Sequence, residues 1–367
     1  MARFDRYVLS LMLAVFAFFA FVLVAVYWVN RAVRLFEQLI ADGQTAAVFL
    51  EFSLLTLPNV TRLVLPVAAF VATLHATNRL SGESELVVMQ ATGFSPARLA
   101  RPVLYFGLIV ALLMSVLMHW LVPVSRAELT KRSDAIERNV VAGLLVEGAF
   151  VNPVPGITLY ARDITDLGEL RHTLLSDMRD ASGRADYFSE RAFVVTEGSG
   201  ASLVMVDGMA MTSRGEGGLE VTRFENLTFD LAPPDAGVAG GRVIMRELPT
   251  WRLLAATPGD LSATGASRAQ FLQEGHERFA QPLMAGLIPV MAFAILILGG
   301  FSRMGLVPQI AAAVVVAILL QVVANAASDI AVRSAAAWPA VYLAPAMAAT
   351  LSALTLWLGT RPRRWAA

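Results

Sequence analysis

The chain has 367 residues, 56% hydrophobic and 16% charged, with no cysteine and a mean hydropathy of +0.61. Soluble globular proteins carry about a quarter charged residues, so the composition argues against an ordinary water-soluble enzyme, and the missing cysteines exclude disulfides, thiolate metal sites and cysteine nucleophiles. Its 29 basic and 29 acidic residues cancel, which leaves no net field to recruit nucleic acid.

In chain order, uncharged stretches run over Val8 to Val29, Pro102 to Ser125, Phe279 to Ser302, Met304 to Ser328 and Ser334 to Thr360. Each exceeds the roughly 20 residues that cross a hydrocarbon core at 1.5 Å per residue. A sixth, Leu63 to Asn78, is short and contains Pro66; to span, it must reach back toward Phe52, which brings Arg62 into or near the membrane. The first run follows Arg3 and Arg6 but is too long for a signal-peptide core and lacks a small-residue cleavage site, so it is expected to stay attached. With the N-terminus inside, nine arginines (Arg3, Arg6, Arg79, Arg98, Arg101, Arg303, Arg361, Arg363, Arg364) fall on the cytoplasmic side, against Arg31, Arg34 and Arg333 in short outer loops. Retention of basic residues inside therefore predicts both termini in the cytoplasm.

Between the third and fourth spans lies an insert of domain size, Arg126 to Arg278, placed outside the cytoplasm by this topology. Ser125 to Gly148 continues the third helix in polar form. Ile157, Leu159 and Ala161 then alternate with Thr158, Tyr160 and Arg162, and Leu227, Phe229 and Leu231 with Thr228 and Asp230, which is strand spacing. Asp207-Gly208 reads as a tight turn between two strands, and Pro233 to Gly241 as a loop. The expected architecture is an α-helical polytopic membrane protein of six transmembrane helices (3+3) with an inserted all-β, jelly-roll-like domain. Its parts are 1–125 (spans one to three, with a short helix at about 81–93), 126–278 (β domain with helical flanks) and 279–367 (spans four to six and a basic end).

Reactive constellations are scarce. The chain has no GxxxxGK[ST] loop, HExxH or GxSxG, and its four histidines have no metal-ligand spacing. His119 lies near the outer end of the third span, as an interfacial group or a proton relay. The most informative short segment is Ser81 to Gly93. Ser81 or Ser84 suits an N-cap, Glu83 and Glu85 suit the positive helix end, and Gly93 suits a C-terminal stop. Its Leu86, Val87, Val88 and Met89 are too apolar for a solvated loop, so either lipid or the groove of a soluble protein should cover them.

Phe4-Asp5-Arg6-Tyr7, the loop SELVVMQATGFS (Ser84 to Ser95) and the order of three spans, β domain and three spans resemble the lipopolysaccharide-export permeases LptF and LptG (the YjgP/YjgQ family) over essentially the whole chain. Glu274 to Leu283, Gly148 to Phe150 and Gly156 to Tyr160 look more like the LptF side. The resemblance implies a permease of the bacterial inner membrane, with its β domain in the periplasm, that pairs with LptG above two copies of the ATPase LptB. That pair passes lipopolysaccharide to LptC and LptA. It implies that Glu85, with Ser84, Leu86, Met89 and Glu83 around it, docks into LptB; ATP and magnesium then belong to the partner, and no cofactor is expected on this chain.

For the cargo, Arg31 and Arg34 recur at i, i+3 near the outer surface, where arginine forks suit lipid phosphates; snorkelling to ordinary headgroups, or pairing with Glu37, accounts for them equally. Arg34 matches a basic position of the family. Arg62 either lines the lipid path or meets a carboxylate. Leu159, Leu203, Met205, Phe229 and Leu231 are inward positions of the β domain that would accept acyl chains, or serve as plain core. Another ABC permease or mechanotransmission protein, or an ion-coupled transporter, remain alternatives. The zero charge is itself a cancellation: Arg126 to Arg278 holds 22 acids and 16 bases, net −6, and the rest of the chain is +6.

Overall fold

The computed structural model describes residues 3–41, 46–143, 147–154, 156–165, 168–179, 183–197, 200–214, 218–230, 244–298 and 306–360. The chain divides into two compact units, residues 1–129 with 244–367, and residues 130–243.

The first unit is helical. Among the described residues, six helical stretches are long and apolar enough to cross a membrane: Arg3–Arg34, Ala46–Gly82, Pro96–Ser133, Arg268–Leu298, Val307–Arg333 and Trp338–Thr360. They belong to α1 (Arg3–Ala41), α2 (Ala46–Gly82), α4 (Pro96–Val116) continuing into α5 (Val122–Gly143), α8 (Arg268–Leu298), α9 (Val307–Arg333) and α10 (Leu343–Thr360). Short helices α3 (Glu85–Ala91), α6 (Thr250–Ala255) and α7 (Pro258–Thr264) lie between them. The doubtful second span is the 37-residue α2, which carries both Pro58 and Pro66 inside it. Arg62 therefore lies well within a helix, one turn before Pro66.

In lipid, hydrophobicity does not drive one helix onto another, so association depends on close packing of small residues. Ala68, Ala69, Ala72 and Ala76 of α2 are fully buried. Two glycines face each other where α4 crosses α8. A Cβ on Gly107 would stand 2.3 Å from the carbonyl oxygen of Gly286, and one on Gly286 would stand 2.7 Å from that of Gly107. Between α4 and α5 the chain makes a π turn, Leu117–Leu121. His119 sits in it, its Nδ1 2.9 Å from Thr250 Oγ1 and its ring 4.5 Å from that of Phe279.

The second unit is one antiparallel sheet of six strands in sequential order: β1 (Phe150–Val154), β2 (Ile157–Ile164), β3 (Glu169–Asp177), β4 (Gly183–Glu197), β5 (Gly200–Arg214) and β6 (Gly218–Asp230). The alternation seen in the sequence is present, but it slips once in each of β2 to β6. Two consecutive residues face outward between inward ones: Arg162 and Asp163 on β2, Arg171 and His172 on β3, Glu190 and Arg191 on β4, Val206 and Asp207 on β5, Glu225 and Asn226 on β6. These pairs lie in register across the sheet, through Asp163↔Arg171, Arg171↔Arg191, Arg191↔Val206 and Val206↔Asn226. They form a crease.

Ring contacts show that the sheet folds along it. On β5, the partner of Tyr187 is Ala210 and the partner of Phe229 is Leu203, seven residues apart, or about 23 Å along a flat strand. The two rings are nonetheless 5.2 Å apart, so the halves of the sheet close face to face. This is the jelly-roll-like element of the architecture, built by bending long strands rather than by stacking two separate sheets.

The expectation of a turn at Asp207-Gly208 is corrected. Strand β5 runs through it, paired on both sides. Asp207 does adopt a positive φ of 53°, the turn conformation its residue type favours, but here it reverses the facing of the strand rather than its direction. Gly208 is needed beside it, because a Cβ there would meet the Phe188 carbonyl oxygen at 2.3 Å and the Phe224 ring at 2.5 Å.

Candidate functional site

At one end of the helical unit, Gly93 (φ +88°) stops α3 by donating to Gln90 O while Phe94 N donates to Met89 O, a Schellman-type closure. The opposite end is not capped by a side chain: Ser84 has φ 61° and makes no cap bond. Glu83 lies outside α3, its carboxylate 2.9 Å from Arg79. The four apolar residues divide. Leu86 is buried and Met89 packs on the same bundle core, whereas Val87 and Val88 are exposed. Of the residues expected to dock a partner, Leu86 and Met89 thus face inward, and the apolar surface offered outward belongs to Val87 and Val88. The Glu85 carboxylate accepts from the Tyr7 hydroxyl at 3.3 Å, and Phe4 meets Phe94 edge to face at 6.2 Å. The FDRY segment and the loop, read from the sequence as two separate motifs, form one structure.

Arg31 and Arg34 are both exposed on α1, with Arg34 Nε reaching back to Asn30 O at 3.4 Å. The Glu37 side chain falls outside the described residues. Arg62 is not grouped with them by these contacts. Its Nη1 lies 4.0 Å from Met118 Sδ, its Nε is buried without a hydrogen-bond partner, and it lines a cavity of about 220 Å3 with residues of α4, α8, α9 and α10.

The polar wall of this cavity went unread in the sequence. On α8, Glu277 and Gln281 line it, and Gln273 stands one turn earlier at the same i, i+4 spacing. Gln273 donates to Glu277 Oε2 and, at 2.7 Å, to Ser328 Oγ; Gln281 donates to Glu277 Oε1 at 2.8 Å. Gln321 and Asn325 of α9 hydrogen-bond each other at 3.0 Å. Gln273 and Glu277 lie just before the uncharged run that begins at Phe279 and Gln281 lies inside it; their common spacing on one helix face was the signal available. Nearby, the buried Arg278 is satisfied by Leu248 O at 2.8 Å, Arg246 O at 2.9 Å and the Glu274 carboxylate at 3.6 Å, which ties the segment before α6 to α8.

In the β unit, Leu159, Leu203 and Met205 are buried in one cluster, with Phe229 packed against it; Leu231 lies outside the described residues. Asp177 is gripped by Arg179 through bonds of 2.9 and 2.8 Å, which hold its carboxyl below the usual carboxylate range. The Arg179 guanidinium lies 5.3 Å from the centre of the Phe229 ring.

A bundle of six candidate spans interrupted by a folded β unit defines a polytopic membrane protein. The family described as lipopolysaccharide export system permease LptF/LptG matches residues 6–359, and the chain belongs to it. The chain is 21% identical over 305 residues to an uncharacterized protein of Rickettsia prowazekii (strain Madrid E), covering 83% of this chain and 84% of that one. It is 24% identical over 209 residues to the lipopolysaccharide export system permease protein LptF of Escherichia coli (strain K12), covering 57% and 54%. With LptG of the same organism the identity is 26% over 162 residues, covering 43% and 41%. The chain thus aligns with about half the length of either E. coli protein.

Proposed function

We propose that the chain is the LptF-type half of a lipopolysaccharide exporter, paired with an LptG-type permease above two copies of the ATPase LptB and delivering lipid to LptC and LptA. Both termini and α3 lie in the cytoplasm and the β unit in the periplasm, a placement the arginine distribution supports. The longer alignment with LptF supports that half of the pair. The observation that carries the reading is α3, a short helix rooted by Leu86 and Met89 that leaves Val87 and Val88 uncovered beside Glu85. An apolar helical ridge with an adjacent carboxylate suits a protein groove. ATP and magnesium act in that partner, and its motion enters this chain through α3 and the Tyr7–Glu85 contact.

On the opposite face, Arg31 and Arg34 receive lipid phosphates through guanidinium forks, and Arg62 lies deeper on the same route. The inner face of the creased sheet, around Leu159, Leu203, Met205 and Phe229, accepts acyl chains. With an excess of acids, the β unit holds them by burial and not by charge. The test is purification in mild detergent followed by reconstitution. An ATPase should co-purify, and Glu85→Ala should lower ATP-dependent lipopolysaccharide release by about tenfold or more, the worth of one charged hydrogen bond, while the complex still assembles. Unchanged release removes Glu85 from the coupling path; absence of any ATPase removes the exporter reading.

A further inference from the structure

We infer that the cavity between Arg62 and Glu277 binds a phosphoethanolamine group, phosphate toward Arg62 and ammonium toward Glu277. Two opposite charges line this one chamber, and among the described residues neither makes an ion pair within the unit. Arg62 retains a buried Nε without a partner. Glu277 is held on both oxygens by glutamine amides, and those are neutral donors.

A charge inside a membrane protein is expensive, and such residues face cavities or partners that neutralise them; Glu274 and Glu277 act on the Arg62 charge, but neither reaches ion-pair distance. A ligand that neutralises both ends together is a zwitterion with a phosphate and a cation a few ångströms apart. The cation is a primary ammonium for two reasons. A carboxylate offers about four lone-pair sites and the amides occupy two, leaving acceptors for an N–H donor. A quaternary ammonium is instead recognised by aromatic faces, and none of the described lining residues is aromatic. The cavity volume of about 220 Å3 is many times the roughly 10–15 Å3 that one water needs on the same measure, which leaves room for a headgroup. Gln321 and Asn325 are exposed on α9 beside it, so the chamber is reached from the side of the bundle.

Such a group is carried by a bilayer phospholipid or by a lipopolysaccharide whose phosphates are decorated with phosphoethanolamine. The experiment places the complex in nanodiscs of equal phosphatidylethanolamine, phosphatidylcholine and phosphatidylglycerol, without ATP, and counts retained lipids by native mass spectrometry. Phosphatidylethanolamine should be retained over the other two by about tenfold, from one charge-assisted contact. Arg62→Gln should lower retention of all three. Glu277→Gln should keep a bound phospholipid but remove the headgroup preference. Asn325→Lys, at an exposed position, should do the same by supplying a competing cation if Glu277→Gln does not fold. Retention in the bulk ratio by the wild-type chain, or an undiminished preference in both Glu277→Gln and Asn325→Lys, overturns the proposal. Adding decorated or undecorated lipopolysaccharide identifies the source: displacement by the decorated form alone marks the cargo, and no displacement marks the bilayer lipid. Because the readout needs no ATP hydrolysis, its failure is separate from failure of the exporter function.

Discussion

Leu86 and Val88 sit two residues apart on a seven-residue helix and answer to different partners. Leu86 is buried in the bundle core and Val88 is 59% exposed. Val88→Asp should therefore leave thermal stability within about 0.5 kcal/mol, as for surface changes generally, yet reduce co-purifying ATPase sharply. Leu86→Ala should cost about 2–4 kcal/mol of stability and loosen α3 itself, seen as faster proteolysis at the loop. A Val88→Asp chain that retains its full complement of ATPase would show that the exposed ridge is not the docking surface.

At the same scale, the Asp177–Arg179 grip makes a pH prediction. Its hydrogen bonds lower the folded pKa of Asp177, so the stabilisation is complete above the unfolded value near 4 and fades as pH falls through the folded one. Near-ultraviolet circular dichroism of the full chain in detergent, titrated from pH 5 to 2, should show an acid transition that Asp177→Asn shifts to higher pH and makes shallower, because the variant lacks the stabilisation the ionised carboxylate supplies. None of these partners was legible in sequence, because each contact depends on which face of a helix or strand is turned inward.

Among the elements, α4 and α8 cross backbone to backbone at two glycines. Since Gly107 and Gly286 each face the other's carbonyl oxygen, a side chain at either must push the helices apart. Gly286→Val should destabilise the bundle by about 3 kcal/mol, the upper end of ordinary overpacking, because backbone rather than a flexible side chain resists. Thermal unfolding in detergent measures it, and a loss under about 1 kcal/mol would show that the crossing relaxes. The spans themselves were legible, since length and apolarity are properties of a segment; which of the chain's 26 glycines marks the crossing was not. The crease shows the same division. Its sequence signs, doubled polar residues in strand after strand and an Asp-Gly pair, were present, but the Asp-Gly pair was read as a turn. A turn and a kinked strand use the same backbone conformation and differ only in whether the flanking segments keep their neighbours.

On the scale of the whole molecule, the neutral total hides an acidic insert and a basic remainder. The orientation inferred from the arginines puts Val88 and Tyr160 on opposite sides of the membrane. The chain has no cysteine, so Val88→Cys and Tyr160→Cys each supply a single reactive thiol without background. In intact spheroplasts a membrane-impermeant maleimide should label position 160 and spare position 88; the reverse pattern would invert the topology and with it the proposed docking side of α3.

Hydropathy, charge asymmetry and residue alternation are sums over neighbours in the chain, and they sufficed for six spans, a β insert, an expected orientation and the family motifs. Facing, close approach and shared cavities depend on residues far apart in sequence. Only the tertiary structure turned Leu86 inward and Val88 outward, folded the sheet along its crease, and set Arg62 of α2 across a chamber from Glu277 of α8. Those pairings follow from helix packing and strand twist in three dimensions, about which a one-dimensional pattern is silent.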